Sequence, residues 1–193
     1  MQVFNKKLIL ASKSPRRSQL LREAGFSFVN KTKDVDESYP EGLKPYEIAE
    51  YIAGKKAKGC ANFLEGETPD TILITSDTIV VLGDKIYGKP KDYEDAVRIL
   101  KELSGQTHQV ITGVCLQNAH KKRTFHGVSK VTFSDLNEEE IDYYLKACKP
   151  YDKAGSYGVQ EWLGHCKITK IEGTYANIMG LPVDLVYENL LTF

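Results

Sequence analysis

The side chains with the most chemistry to offer in this 193-residue chain are four cations and two carboxylates. Arg16, Arg17, Lys56 and Lys89 can neutralise a polyphosphate, and Glu37 and Asp77 can hold a divalent cation such as magnesium or manganese through oxygen. Together they imply phosphoryl chemistry. The most informative stretch is Leu8–Arg17, an apolar run followed by Ser12-Lys-Ser14-Pro15-Arg16-Arg17. Ser14 is a good N-cap and Pro15 suits the first helical position, so a helix should begin there. Two arginines in a first turn have the wrong sign for the positive end of a helix dipole unless an anion joins them. They stand four residues before Leu20 and Leu21, along the edge of the apolar face. Free N–H groups at a helix start, two guanidiniums and the Ser12 and Ser14 hydroxyls suit a phosphate. Surface salt bridges are the other common use of such a pair.

Asp77 and Lys56 also conflict with their surroundings. Thr71–Leu82 reads as a buried strand that Asp77 interrupts, and a carboxylate there must be paired, metal-bound or protonated. In open α/β sheets ligands gather beyond the carboxyl ends of strands, where the Ser12 turn also lies. A structural cap is the alternative for Asp77. Lys56 falls on the apolar face of a helix opened by Pro45, with Ile48, Ala49, Ile52, Ala53, Ala57, Cys60 and Phe63. A snorkelling lysine would explain it as well as a site would. Glu37 belongs to the acidic loop Lys33–Pro40, and an exposed Lys89 needs no special explanation.

Length allows one well-buried core with room for two lobes, read as a single domain over residues 1–193. The 26 basic and 26 acidic residues cancel, which argues against nucleic acid or an anionic membrane as partner. Any anion site must therefore be local. No apolar run of transmembrane length and no signal-peptide core occur, so a soluble, cytoplasmic protein is expected. Cys60, Cys115, Cys148 and Cys166 lack metal-type spacing and suit free thiols in a reducing compartment; two disulfides outside the cell are the alternative.

Further elements follow from caps and periodicity. Strands are expected at 26–29, 109–116, 124–133 and 166–171, with a hairpin turn at Gly83-Asp84. Helices should start at Asp92 and at the capping box Asn137-x-x-Glu140, and a last one should cover 183–191. Asp152–Gln160 and Gly173–Pro182 read as glycine-punctuated loops able to approach a ligand closely.

Several constellations fail. Gly83–Lys89 has P-loop spacing, but Pro90 stands where a magnesium-binding Ser or Thr belongs. His108, His120 and His126 lack helical zinc spacing, and His165-Cys166 on a strand would point to opposite faces. Tyr143, Tyr144, Tyr151 and Tyr157 without a basic excess read as packing rather than base stacking.

The ordered motifs Ser12–Arg17, Val35-Asp36-Glu37, Lys56-Ala57, Ser76-Asp77-Thr78, Gly88-Lys89-Pro90, Ser104-Gly105, Thr112-Gly113, Asp152-Lys153-Ala154-Gly155 and Gly180-Leu-Pro182 resemble the Maf family of nucleotide pyrophosphatases. They span essentially the whole chain. The resemblance implies a two-lobed, mixed-sheet α/β fold with a central cleft, related to inosine triphosphate pyrophosphatases, and a homodimer. It implies hydrolysis of a nucleoside triphosphate to monophosphate and pyrophosphate with a divalent cation, in house-cleaning of non-standard nucleotides. Asp77 matches the general base, and Arg16, Thr78 and Gln160 match the specificity positions. That set resembles the branch acting on dTTP and UTP; the sibling branch acting on 7-methyl-GTP tends to carry an apolar residue, Gln and Glu there. A neutral uracil or thymine can hydrogen-bond both ends of an amide, whereas a glutamate suits a cationic methylated guanine. A nucleotide-binding regulator of cell division with incidental hydrolysis is the other reading that the family allows.

Overall fold

The computed structural model describes residues 2–193 and contains seven strands and seven α-helices among them. In chain order these are β1 (Leu8–Ala11), α1 (Pro15–Glu23), β2 (Phe28–Lys31), α2 (Pro45–Gly59), β3 (Ile72–Leu82), β4 (Lys85–Tyr87) and α3 (Tyr93–Leu103). There follow β5 (Thr107–Gln117), β6 (Lys122–Phe133), α4 (Glu138–Cys148), α5 (Trp162–Lys167), β7 (Ile168–Glu172), α6 (Tyr175–Met179) and α7 (Val183–Leu191). One mixed sheet has the order β2-β1-β3-β5-β6-β7, with β4 pairing β3 as a hairpin. The chain is therefore of the α/β class expected.

It divides into two compact units, and β3, β5 and β6 each contribute residues to both. The first unit comprises residues up to Asp77, Thr112–Gly127 and Gly180–Phe193. Its centre is the parallel triplet β2-β1-β3, in which Leu8, Ile9 and Leu10 pair with Ile72, Leu73 and Ile74. These six residues are buried, as a parallel sheet covered on both faces requires. Helix α2 lies against the sheet closely enough that a β-carbon on Gly113 would fall 2.2 Å from the Ala49 carbonyl, so only glycine fits there. Thr75 on β3 donates to the Ala53 carbonyl of α2 at 2.7 Å. That buried bond fixes which face of α2 meets β3.

The second unit comprises Thr78–Ile111 and Val128–Met179. Val80, Ile99, Leu100, Leu103, Val131, Phe133, Ile141, Tyr144 and Leu145 belong to its apolar core. Asp92 caps α3 by accepting from Asp95 N at 2.8 Å, and Asn137 and Glu140 form the reciprocal capping box of α4. Each such cap contributes about 1 kcal/mol.

Three expectations shift. The strand placed at 26–29 runs Phe28–Lys31, because Gly25 and Phe26 still serve α1, donating to Arg22 and Leu21 carbonyls. The strand placed at 166–171 begins only at Ile168, since Trp162–Lys167 form α5. His165 and Cys166 are thus helical, and Cys166 is exposed. The loop 173–182 contains α6, where buried Asn177 ties the helix down through bonds to Val110 O and Ser129 Oγ. Helix α7, by contrast, has the bounds that periodicity assigns.

Candidate active site

The first unit gathers the charged residues by strand register and helix phase. Continuing the β1–β3 pairing beyond Ala11 brings Ser12 level with Ser76, so Asp77 lies just past the carboxyl end of β1. Side chains alternate along β3, and Asp77 therefore shares a face with Thr75. Thr75 bonds Ala53, and Lys56 lies three residues further along α2, on the same side of that helix. The result is an ion pair of 2.7 Å between Lys56 Nζ and Asp77 Oδ1. Asp77 is 8% exposed, and removing its partner from so buried a carboxylate would cost about 3–5 kcal/mol.

Glu37 reaches the same ammonium. Its Oε1 lies 2.7 Å from Lys56 Nζ, although its own loop is exposed. The preceding residue on α2 explains how that loop is held. Lys55 Nζ contacts Asp36 Oδ2 at 2.6 Å, the Ser38 carbonyl at 2.8 Å and Ser38 Oγ at 2.9 Å. Those contacts hold the Asp36 carboxyl well below the usual carboxylate range, Lys55 being the main cause and Ser38 the next. Val35 packs against Gly59, where a β-carbon would fall 2.7 Å from a Val35 methyl. Consecutive lysines on one helix thus grip Asp36 and Glu37, and the second bridges Glu37 to Asp77.

Helix α1 starts at Pro15 with Ser14 at the N-cap position, but the Ser14 side chain makes no capping bond. Its backbone N–H instead donates to Ser12 Oγ at 3.1 Å, and the buried Ser14 and Ser18 hydroxyl oxygens have no partner among the described residues. Ser14 thus occupies the N-cap position without closing the capping bond, which leaves the first-turn N–H groups of α1 uncapped by it. Arg17 donates from Nε to the Gly180 carbonyl at 2.8 Å and from Nη1 to the Ser76 carbonyl at 2.9 Å. Burial lowers the pKa of its guanidinium; Asp77 opposes that, Arg16 adds to it, and Glu37 opposes it again. All four residues therefore act on one local field.

Thr78, Lys89 and Gln160 belong to the second unit. Thr78 follows Asp77 on β3, Lys89 lies exposed after β4, and Gln160 ends a loop that starts near Asp152. That loop is tightly built. Ser156 is buried with a left-handed backbone (φ 60°), a strain of about 1 kcal/mol or more of the kind functional loops retain. Gln160 Oε1 is buried and has no partner among the described residues. Tyr144, Lys153 and Glu161 surround the loop with polar contacts that residue spacing did not reveal. The visible signal was only a glycine, Gly158, three residues before an acid.

Two carboxylates that converge on one ammonium have the donor chemistry for a hard cation, which ordinarily takes one or two protein carboxylates and completes its shell with phosphate and water. Glu37 and Asp77 fit such an ion. Among the described residues no group of three or more His, Cys, Asp or Glu gathers as a metal cluster, and no helix is long and apolar enough to cross a membrane.

A buried carboxylate beside an arginine-bearing helix start, on an α/β sheet, suits the phosphate chemistry that the motifs imply. Residues 7–193 match the family described as Maf-like protein, and the chain belongs to it. Among its relatives, the dTTP/UTP pyrophosphatase of Porphyromonas gingivalis is 48% identical over 189 residues, covering 97% of this chain and 94% of the relative. Proteins of the same name from Phocaeicola vulgatus and Flavobacterium johnsoniae are each 50% identical, covering 95% and 96% of this chain and 94% of each relative.

Proposed function

We propose that this protein hydrolyses dTTP and UTP to the monophosphate and pyrophosphate. The observation that carries the reading is Lys56 bridging Glu37 and Asp77 at 2.7 Å each, beside the arginine-rich start of α1. Relatives named dTTP/UTP pyrophosphatase at nearly full coverage support the substrate class.

In this reading Arg16, Arg17, Lys56 and Lys89 neutralise the triphosphate, Ser12 offers it a hydrogen bond, and Asp77 orients or deprotonates the water that attacks the α-phosphorus. The water oxygen forms the new bond to phosphorus, the α–β bridging oxygen leaves with pyrophosphate, and the water proton passes to Asp77. Glu37 and Asp77 would hold a magnesium or manganese ion, which when bound supplies charge neutralisation at the phosphates. Lys56 would exchange its more exposed partner, Glu37, for a phosphate oxygen. Arg16, Thr78 and Gln160 set the preference among bases. The buried acceptor Gln160 Oε1 suits the imide N–H of uracil or thymine, a donor that cytosine lacks. A cytoplasmic homodimer completes the proposal, with light scattering of the pure protein as its check.

The test is to incubate the protein with dTTP, UTP, CTP, 7-methyl-GTP and ITP in magnesium or manganese and to measure monophosphate and pyrophosphate. Preferential turnover of dTTP and UTP is expected. Binding without turnover would favour the regulator, turnover of 7-methyl-GTP the sibling branch, and ITP alone the inosine enzymes.

A further inference from the structure

The second unit holds a linked set of polar groups, buried at Tyr144 and Lys153 and partly buried at Glu161, to which the phosphate chemistry assigns no part. Tyr144, fully buried on α4, donates to one oxygen of Glu161 and accepts from the Gly158 backbone N–H at 3.0 Å. The other Glu161 oxygen pairs with Lys153 Nζ at 2.9 Å, and Lys153 also pairs with Asp152 at 2.7 Å. The Glu161 carboxylate lies so close over Gly158 that a β-carbon there would fall 2.8 Å from its carboxyl carbon.

Stability is a poor reason for such a cluster, because well-packed apolar residues are commonly as stabilising as a buried ion pair. What these groups hold is backbone. Glu161 N donates to the Gly158 carbonyl at 3.1 Å, closing a turn that contains Gln160, and His165 Nε2 donates to the Gln160 carbonyl at 3.1 Å. The Gln160 main chain is thus fastened on both sides while its side-chain Oε1 is left buried without a partner among the described residues.

We propose that Glu161 is a positioning residue for base recognition: tied to Tyr144 and Lys153, it holds the Gly158–Glu161 turn so that the Gln160 amide keeps one orientation toward the imide edge of a uracil or thymine base. The inference rests on the proposed turnover of dTTP and UTP. Glu161 itself touches neither phosphate nor base, so its loss affects discrimination and leaves the chemistry of phosphate attack in place.

Glu161→Gln tests this without orphaning Lys153, which keeps Asp152. Tyr144→Phe is the second variant; it keeps the ring in the core and removes the hydroxyl that joins Gly158 to Glu161. Steady-state kinetics are measured for dTTP, UTP and CTP, alone and in a Gln160→Ala background, with thermal unfolding alongside. In either variant kcat/KM for dTTP and UTP should fall about tenfold, the equivalent of one hydrogen bond. CTP turnover should stay within about twofold on the same scale, and the effect should vanish once Gln160 is alanine. An equal loss on all three substrates, or a loss that persists with Gln160→Ala, would make the cluster merely structural and overturn the proposal. An unchanged dTTP-to-CTP ratio would do the same. A wild-type protein that turns over neither dTTP nor UTP would instead overturn the functional reading, and this inference with it.

Discussion

The charged cluster of the first unit and the polar loop of the second use similar residues to opposite ends. Lys56 is shared between two carboxylates, one of them, Glu37, with a side chain 48% exposed. Lys153 is also shared between two carboxylates, Asp152 and Glu161, but Glu161 is further committed to the buried Tyr144 hydroxyl. An exposed carboxylate such as Glu37 can be released at low cost, because water and ions solvate it. A carboxylate enclosed by a tyrosine, a lysine and a backbone turn cannot. The first arrangement is therefore equipped to exchange ions and the second to keep geometry.

The largest expected effect breaks the first half of that contrast. Asp77→Asn keeps the side chain's shape and a contact for Lys56 but removes the charge and the proton acceptor, so kcat/KM for dTTP should fall about a thousandfold. Circular dichroism and unfolding should show an intact fold. Full activity in a folded variant would remove Asp77 both as base and as metal ligand.

The second prediction probes how strictly the second unit excludes charge. His108 is buried, bonded through Nε2 to the Tyr157 hydroxyl at 2.8 Å and met edge-on by Phe133 and Tyr157. Burial pushes its pKa from an ordinary 6.5 down to about 4. The folded protein thus keeps the imidazole neutral while the unfolded chain takes up a proton. This contribution is fully present above pH 6.5 and is lost as pH falls from about 6.5 to about 4, reaching about 3 kcal/mol. Urea unfolding across that window measures it. His108→Gln should flatten the dependence, and a wild-type curve already flat there would mean that the unit tolerates an imidazolium inside.

The smallest effect sharpens the division of labour. Gln160→Glu keeps an acceptor but loses the amide donor and adds a charge beside a neutral base, so kcat/KM for dTTP and UTP should drop about tenfold or somewhat more. Unchanged values for both would deny the loop a role in reading the base.

Local signals in the chain served well where the interactions were local. Ser14-Pro15, Asp92 and Asn137-x-x-Glu140 act within one helical turn, and α1, α3 and α4 begin where they indicate. Ser14 shows the limit of such signals: its position is that of an N-cap, yet its hydroxyl is left for something else. The run 166–171 misled because Cys-Lys-Ile-Thr-Lys-Ile is apolar and β-branched only from Ile168 onward. The turn fastened by Glu161 and His165 starts a helix first.

Residue types, their caps and their motif order by themselves determined that this chain is an α/β protein and singled out Arg16, Arg17, Lys56, Lys89, Glu37 and Asp77 as its candidate site residues. Only the tertiary structure decided that Lys56 lies between Glu37 and Asp77, that Lys55 secures the loop bearing Glu37, and that Glu161 is enclosed by Tyr144 and Lys153. Lys56 is 21 residues from Asp77 in sequence and Tyr144 is 17 from Glu161. Contacts at such separations depend on strand register, helix phase and the close approach allowed by a glycine, none of which a local pattern of side chains can specify.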